Sequence, residues 1–203
     1  MDIELRGIEI ASLFKFSHLA IPANEKLLIY GPSGTGKTSL LHLIGGLWKP
    51  TRGEVFLGGL NLCGMNDNEL SHFRRDKVGF IFQKMNLIDH MTCEENLQLV
   101  ENRGGEAAED VLKKVGLLEK LKLKAGVLSL GEQQRLAVVR VLLQNPQVIL
   151  ADEPTSSLDE ANAEKVMKLL VQASEKKTMI VVSHDSRLQK YFDRSLNFAE
   201  LIR

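Results

Sequence analysis

Eight consecutive residues carry the first recognisable chemistry: Gly31-Pro32-Ser33-Gly34-Thr35-Gly36-Lys37-Thr38. They fit the pattern G-x-x-x-x-G-K-[ST] without a gap. Glycines at those places let successive backbone N–H groups turn inward on an anion. A helix that starts at the end of the loop aims the positive end of its dipole at the same point. Lys37 adds a full charge for β- and γ-phosphates, and Thr38 offers a hydroxyl to Mg²⁺, with Ser39 next in the same phosphate site. A second constellation is Val148-Ile149-Leu150-Ala151-Asp152-Glu153, an apolar run that ends in two carboxylates. Asp152 is placed to hold Mg²⁺, directly or through water, opposite Thr38. Glu153, one residue further, is placed to polarise a water that attacks the γ-phosphate. Alone, that pair reads equally well as solvated acids at a strand end. Beside a phosphate loop it reads as the other half of a nucleoside triphosphate site.

Such a loop works only between a strand and a helix, and the flanks supply both. Leu27 to Tyr30 is a short apolar run suited to a buried strand. Ser39 to Ile44 spaces its leucines and isoleucine like one helix face, stopped by Gly45-Gly46 with Pro50 beyond. Before the loop, Ile8-Glu9-Ile10 and Phe14-Lys15-Phe16 alternate as in short antiparallel strands. Gly53 to Gly59 predicts a strand entering a glycine turn, Asn66-Asp67-Asn68-Glu69 a short charged helix through Arg75, and Val78 to Phe82 a strand closed by Gln83.

From Lys84 to about Asn145 the pattern changes to helices and polar loops. Thr92-Cys93-Glu94-Glu95 is a capping box that starts one helix. Gly104-Gly105 breaks the chain, and Glu106 to Val115 forms a second helix. Ser129-Leu130-Gly131-Glu132 starts a third, running through Leu143 and ended by Pro146. Then Val148–Ala151 and Met179–Val182 are continuous apolar runs, typical of parallel strands covered on both faces. Glu160 to Glu175 is the helix between them. Strand–helix–strand order implies right-handed crossovers, with ligands at the carboxyl ends of the strands. The expected fold is α/β: a P-loop NTPase core with a parallel sheet, a small antiparallel β-subdomain and an inserted helical subdomain. One domain spans 1–203, with the core and β-subdomain in 1–83 and 146–203 and the helical subdomain in 84–145.

Bulk properties narrow the classes. Twenty-six basic and 26 acidic residues give zero net charge, so nothing points to a nucleic-acid or anionic-membrane surface. Two cysteines, Cys63 and Cys93, lie too far apart for a metal or redox pair and are expected as free thiols in a cytosolic protein. Charged residues interrupt the N-terminal stretch, which carries no secretory pattern. No apolar run approaches the length of a membrane span, so work at a membrane requires another chain.

Several segments together resemble the ATP-binding cassette ATPases. In order they are Gly31 to Thr38, Gln83, Leu128-Ser129-Leu130-Gly131-Glu132-Gln133-Gln134-Arg135, Asp152-Glu153, Ser157-Leu158-Asp159 and His184. The 128–135 segment is the most specific, because ordinary P-loop kinases and GTPases lack it. Gly79 to Gln83 with Asn86-Leu87, and the Glu-Gln-Gln-Arg ending, resemble the export branch that serves lipoprotein release, macrolide and peptide export and cell division. The resemblance implies that Gln83 reaches Mg²⁺ and the attacking water and sits on a hinge between core and helical subdomain. It implies that Ser129, Gly131 and Glu132 belong to a signature turn binding the γ-phosphate held by a second copy of the chain. His184 is implied as a contact to that phosphate, and Asp159 as part of the subunit interface. A plain capping box at Ser129 and a plain N-cap at Asp159 are the simpler readings, and both pairs are compatible.

What the resemblance implies overall is the ATP-hydrolysing subunit of a transporter. It acts as a homodimer, peripheral on the cytoplasmic face of the membrane, and pushes on a separate permease docked near Gln83 to Met91. A soluble cassette ATPase acting on ribosomes or DNA, a regulatory module and a metabolic P-loop kinase are the rivals. The first usually carries two cassettes or a coiled-coil insertion, and the last does not explain residues 128–135. Two departures stand out. Leu130 occupies a position where the family usually has glycine, and a Cβ there restricts the backbone. The family stacks adenine on an aromatic residue upstream of the loop, but residues 1–10 contain none, and Phe14 and Phe16 are expected in the core.

Overall fold

The computed structural model describes residues 1–103, 107–156 and 158–202. In chain order it runs β1 (Ile3–Ile10), β2 (Phe14–Ile21), β3 (Lys26–Tyr30), α1 (Lys37–Ile44), β4 (Arg52–Leu57), β5 (Leu60–Asn61), α2 (Asp67–Lys77) and β6 (Val78–Ile81). The helices α3 (Cys93–Gln98), α4 (Ala108–Lys114) and α5 (Leu130–Gln144) follow. The chain then closes with β7 (Val148–Asp152), α6 (Glu160–Ala173), β8 (Thr178–Ser183), β9 (Arg194–Asn197) and α7 (Phe198–Leu201).

The strands form two sheets. One is four-stranded and antiparallel, ordered β2-β1-β4-β5; the other is five-stranded, ordered β6-β7-β8-β3-β9 with every neighbour parallel. Its central strands β7 and β8 are buried along their whole length, as their continuous apolar runs predict. Period-two alternation divides their side chains between two layers. Val148, Leu150, Ile180 and Val182 meet Leu40, Leu41, Leu43 and Ile44 of α1. On the other face, Ile149, Ala151, Met179 and Val181 meet Val138 and Val141 of α5 with Val166, Met167 and Leu170 of α6. Each such side chain, fully buried, contributes roughly 1.5–3 kcal/mol. Gly79 lets α5 lie directly on β6, since a Cβ there would stand 2.6 Å from Val141 and Pro146 carbons.

A third apolar cluster joins α3, α4 and α5 through Cys93, Leu97, Val111, Leu112, Leu136, Val139 and Leu143. Helix α5 therefore belongs to two cores at once, one on each side. Its start is as the sequence predicts: Ser129 and Glu132 form a capping box, as do Thr92 with Glu95 and Asn66 with Glu69.

Several expected boundaries shift by a residue or two. Helix α2 continues to Lys77, α5 to Gln144, α6 ends at Ala173, and β6 ends at Ile81. Helix α4 begins at Ala108; the predicted start at Glu106 and the Gly104-Gly105 break lie outside the described residues, as does Ser157. Strand β9 has no counterpart in the sequence reading, because Arg194-Ser195-Leu196-Asn197 is too short and polar to signal an edge strand. Among the described residues no helix is long and apolar enough to cross a membrane, and both cysteines are free.

Candidate active site at the carboxyl edge of the parallel sheet

A parallel sheet ends all its strands on one side, and four of these ends carry the predicted chemistry. The phosphate loop follows β3, Gln83 follows β6, Asp152 ends β7 with Glu153 next, and His184 follows β8. Leu13, Ser33, Gly34, Gly36, Lys37, Thr38, Ser39, Gln83, Asp152 and Glu153 together line an open cleft of about 290 Å³. The sequence separates these residues widely; the sheet gathers them.

The loop takes its shape from Gly36, the N-cap of α1, whose φ of 104° lies in the left-handed region that favours glycine. A Cβ there would also meet the Phe14 ring at 2.8 Å. Inside the loop, Thr35 Oγ1 donates to the Pro32 carbonyl at 3.0 Å. Lys37, 6 % exposed, donates from Nζ to the carbonyls of Gly31 and Pro32 at 2.8 and 2.7 Å. Burial pushes the Lys37 ammonium below its ordinary range, opposed by the charges of Glu153 and Asp152.

Across the cleft, Thr38 Oγ1 donates to Asp152 Oδ2 at 2.8 Å. Burial raises the Asp152 carboxyl, with the Thr38 hydrogen bond acting against the rise. A desolvated cation and a desolvated carboxylate that face one opening suit a ligand bearing phosphate and a cation, each of which restores the charged form. The cation would find hard oxygen donors only, at Thr38 and Asp152. No cluster of three or more His, Cys, Asp or Glu capable of holding a metal exists among the described residues. A divalent ion of the Mg²⁺ type, which keeps water and phosphate oxygens in its shell, fits that donor set.

Glu153 has φ 48°, a left-handed conformation that is uncommon for a residue other than glycine. Its backbone is held on both sides. The Glu153 amide donates to the Val182 carbonyl at 2.9 Å, and the Glu153 carbonyl accepts from Gln134 Nε2 at 3.3 Å and Ser156 Oγ at 3.1 Å. Its carboxylate is engaged too. Oε1 accepts from the His184 amide at 2.8 Å and lies 2.8 Å from His184 Nδ1, while Oε2 accepts from Ser183 Oγ at 2.9 Å. Glu153, which lines the cleft, and the exposed His184 are thus one hydrogen-bonded unit. Sequence reasoning named both but missed Ser183 and Gln134. Ser183 stands beside His184, yet nothing local marks its hydroxyl as directed at a residue in another strand.

Ser129, Gly131 and Glu132 do not line this cleft. Ser129 is exposed at the start of α5, and Glu132 Oε2 accepts from its amide at 2.9 Å. The other Glu132 oxygen pairs with Lys120, and these contacts hold its carboxyl below the usual range. Neighbouring Leu130 and Gln133 line a second opening, about 600 Å³, with Gln83, Lys84, Met85, Asn86, Leu87, Asp89 and Ser156. Leu130 is the first residue of α5, so its backbone is helical and needs no glycine freedom. The expected restriction is absent, and its side chain simply stands 54 % exposed. Asp159 caps α6 by accepting from the Asn162 amide at 2.8 Å.

Among the described residues no aromatic side chain lines the phosphate cleft. Phe14 and Phe16 are buried in the core as predicted, with Phe14 edge-on to Phe198 at 5.4 Å between centroids. The rim position belongs instead to Leu13, 50 % exposed in the β1–β2 turn. An aliphatic rim offers a base apolar contact but no ring to stack on.

Residues 14–156 match the family model described as ABC transporter. An uncharacterised ABC transporter ATP-binding protein of Methanocaldococcus jannaschii, MJ0796, is 41 % identical over 93 % of this chain and 86 % of its own length. The lipoprotein-releasing system ATP-binding protein LolD of Legionella pneumophila (strain Lens) is 38 % identical over 94 % of this chain and 88 % of its own. The dimeric structure of the MJ0796 cassette superposes with a TM-score of 0.87 at 37 % identity, covering 96 % of this chain and 94 % of that one. A second MJ0796 structure, a dimeric post-hydrolysis state bound to ADP and Pi, gives 0.82 at 35 % identity with the same coverage. With its fold, its phosphate loop and most of its length accounted for in this way, the chain belongs to the ABC transporter family.

Proposed function

We propose that this chain is the ATP-hydrolysing subunit of a membrane transporter, working as a homodimer beneath a separate permease on the cytoplasmic face of the membrane. The observation that carries the reading is the separation of two anion-binding features. The loop from Gly31 to Ser39 shares one cleft with Asp152 and Glu153, whereas Ser129 and Gly131 are presented elsewhere on an exposed helix start. One γ-phosphate offers little room for both within a single copy, whereas a two-fold dimer brings each loop to the other copy's helix. MJ0796, a relative of known structure, is described as dimeric.

In this reading the backbone N–H groups of Gly34 to Thr38 and the Lys37 ammonium hold the β- and γ-phosphates. Thr38, Asp152 and Gln83 would hold Mg²⁺, which when bound offsets charge on the same phosphates. Glu153 accepts a proton from the attacking water as its oxygen bonds to the γ-phosphorus and the bond to the ADP oxygen breaks. His184, already against Glu153, keeps that carboxylate oriented and stands beside the departing phosphate. Ser129, Gly131 and Glu132 of the second copy close the site at a helix N-terminus. We also propose that 84–145 moves as a helical unit against 1–83 and 146–203.

The permease partner follows from the relatives, which are named for lipoprotein release and for macrolide export joined to a permease. Co-purification of a polytopic membrane protein with the tagged chain is the expected result. Recovery of ribosomes or DNA in its place would overturn the transport reading. A further expectation concerns Leu130. Because it sits in helical backbone and touches solvent, Leu130→Gly should leave the ATPase rate unchanged or raise it, with a helix cost of at most about 1 kcal/mol. A large fall in rate would show that the site requires the leucine.

A further inference from the structure

The segment after Gln83 has no regular structure from Phe82 to Ile88, so its shape must come from outside itself. Arg140, toward the C-terminal end of α5, supplies one hold. Its Nη1 donates to the Asn86 carbonyl at 2.9 Å and its Nη2 to the Met85 carbonyl at 3.1 Å. Asn86 lies in the left-handed region, φ 49°, a bend that directs consecutive carbonyls at one guanidinium. Fully buried Asn96 of α3 supplies the next hold. Its side chain accepts from the Ile88 amide at 2.8 Å and donates to the Ile88 and Thr92 carbonyls at 3.0 Å each. Further along, the carbonyls of Asp89 and Met91 accept from the amides of Gly126 and Ala125 at 3.0 and 2.8 Å. Those two residues lead directly into Ser129. The segment therefore runs along α5 and is tied at both ends to the body that carries the Ser129 turn.

Arg140 is an unusual choice for a merely structural hold. No carboxylate pairs with it among the described residues, and burial lowers its guanidinium without any compensating charge. A half-buried guanidinium held only by carbonyls gives up part of its hydration without a counter-charge in return. What only an arginine offers is a planar fork, which fixes two successive carbonyls in one geometry.

We propose that Arg140 is a positioning residue that locks the segment after Gln83 to α5, so that a push on this segment moves the Ser129 turn with it. The lever is the helix itself, since Arg140 lies three turns from the cap, roughly 16 Å along a rigid rod. Where the chain enters the helical body, its freedom is then confined to Phe82-Gln83-Lys84, between the end of β6 and the first gripped carbonyl. This rests on the proposed meeting of Ser129 with nucleotide held by a second copy.

The test substitutes Arg140→Met in the full chain, with Arg140→Lys beside it, each also placed in a Glu153→Gln background. Amide hydrogen exchange, thermal melting, ADP affinity of the monomer, turnover and ATP-driven dimerisation are measured. Arg140→Met is expected to keep its melting temperature and ADP affinity, because the phosphate loop is untouched. Protection at 85–88 should fall. The ATP concentration for half-dimerisation should rise and kcat should fall by roughly ten- to hundredfold, the loss of charged hydrogen bonds. Arg140→Lys should fall between, having charge but no fork. If Arg140→Met does not fold, the lysine variant decides alone: parental protection and parental dimerisation in it overturn the proposal. So does Arg140→Met with unchanged exchange at 85–88 and unchanged half-dimerisation. Failure of the underlying functional reading would look different, since the parent chain itself would then show no ATP-driven dimer.

Discussion

Glu153→Gln is expected to bind ATP with near-parental affinity, to lose turnover by about 10²-fold or more, and to accumulate as an ATP-bound dimer. The magnitude is that of general-base catalysis in other systems. The geometry explains why binding survives. Glutamine is nearly isosteric, and its single side-chain oxygen can still accept from the His184 amide that now bonds Glu153 Oε1 at 2.8 Å, with its NH2 group turned to the Ser183 hydroxyl oxygen. The strained backbone, φ 48°, stays held by Val182, Gln134 and Ser156. Only proton acceptance is removed. Single-turnover hydrolysis, with size-exclusion in ATP, checks both halves of the expectation. Parental hydrolysis in the variant would show that another group takes the proton.

The second expectation tests whether each site is shared between copies. Lys37→Ala removes the buried ammonium that grips the loop carbonyls of Gly31 and Pro32. Ser129→Arg fills the exposed start of α5 with a large side chain. Each variant alone should be nearly inactive. In a mixed dimer one site holds both lesions and the other holds none. With free exchange half of the dimers are mixed and each has one intact site, so about a quarter of the parental rate should return if that site turns over alone. Mixed dimers that bind ATP once yet do not hydrolyse it would mean that the two sites are obligatorily coupled. A strictly monomeric preparation hydrolysing at full rate would overturn the shared site altogether.

Much of this was legible before any fold was known, and the legible parts share a cause. The phosphate loop, the capping boxes at Thr92 and Ser129, the helix start at Asn66 and the buried runs of β7 and β8 are local features, in which a few adjacent residues satisfy their own backbone groups or declare one period. Gly36 must be glycine for a reason that begins with its own φ. A parallel sheet with right-handed crossovers also followed from strand–helix–strand order, whereas the order β6-β7-β8-β3-β9 did not. By itself the sequence determined a phosphate site beside two carboxylates on a parallel sheet, and a capped helix start far from it in the chain.

Tertiary structure decided the contacts that no local rule encodes. Leu13 rather than Phe14 faces the cleft because β2 begins at Phe14, and alternation sends that ring inward against Gly36 and Phe198. Leu130 is harmless to its own backbone because the helix begins there, one residue after the cap. Ser183 and Arg140 are ordinary residues in sequence, and Gln134 is marked there only as part of the 128–135 segment. They acquire roles only where β8 lies beside β7, and where α5 crosses between two cores with a carbonyl from another element at the end of each side chain. Hydrogen bonds across such distances depend on where the sheet and helices come to rest, and packing fixes that only when the whole chain has folded.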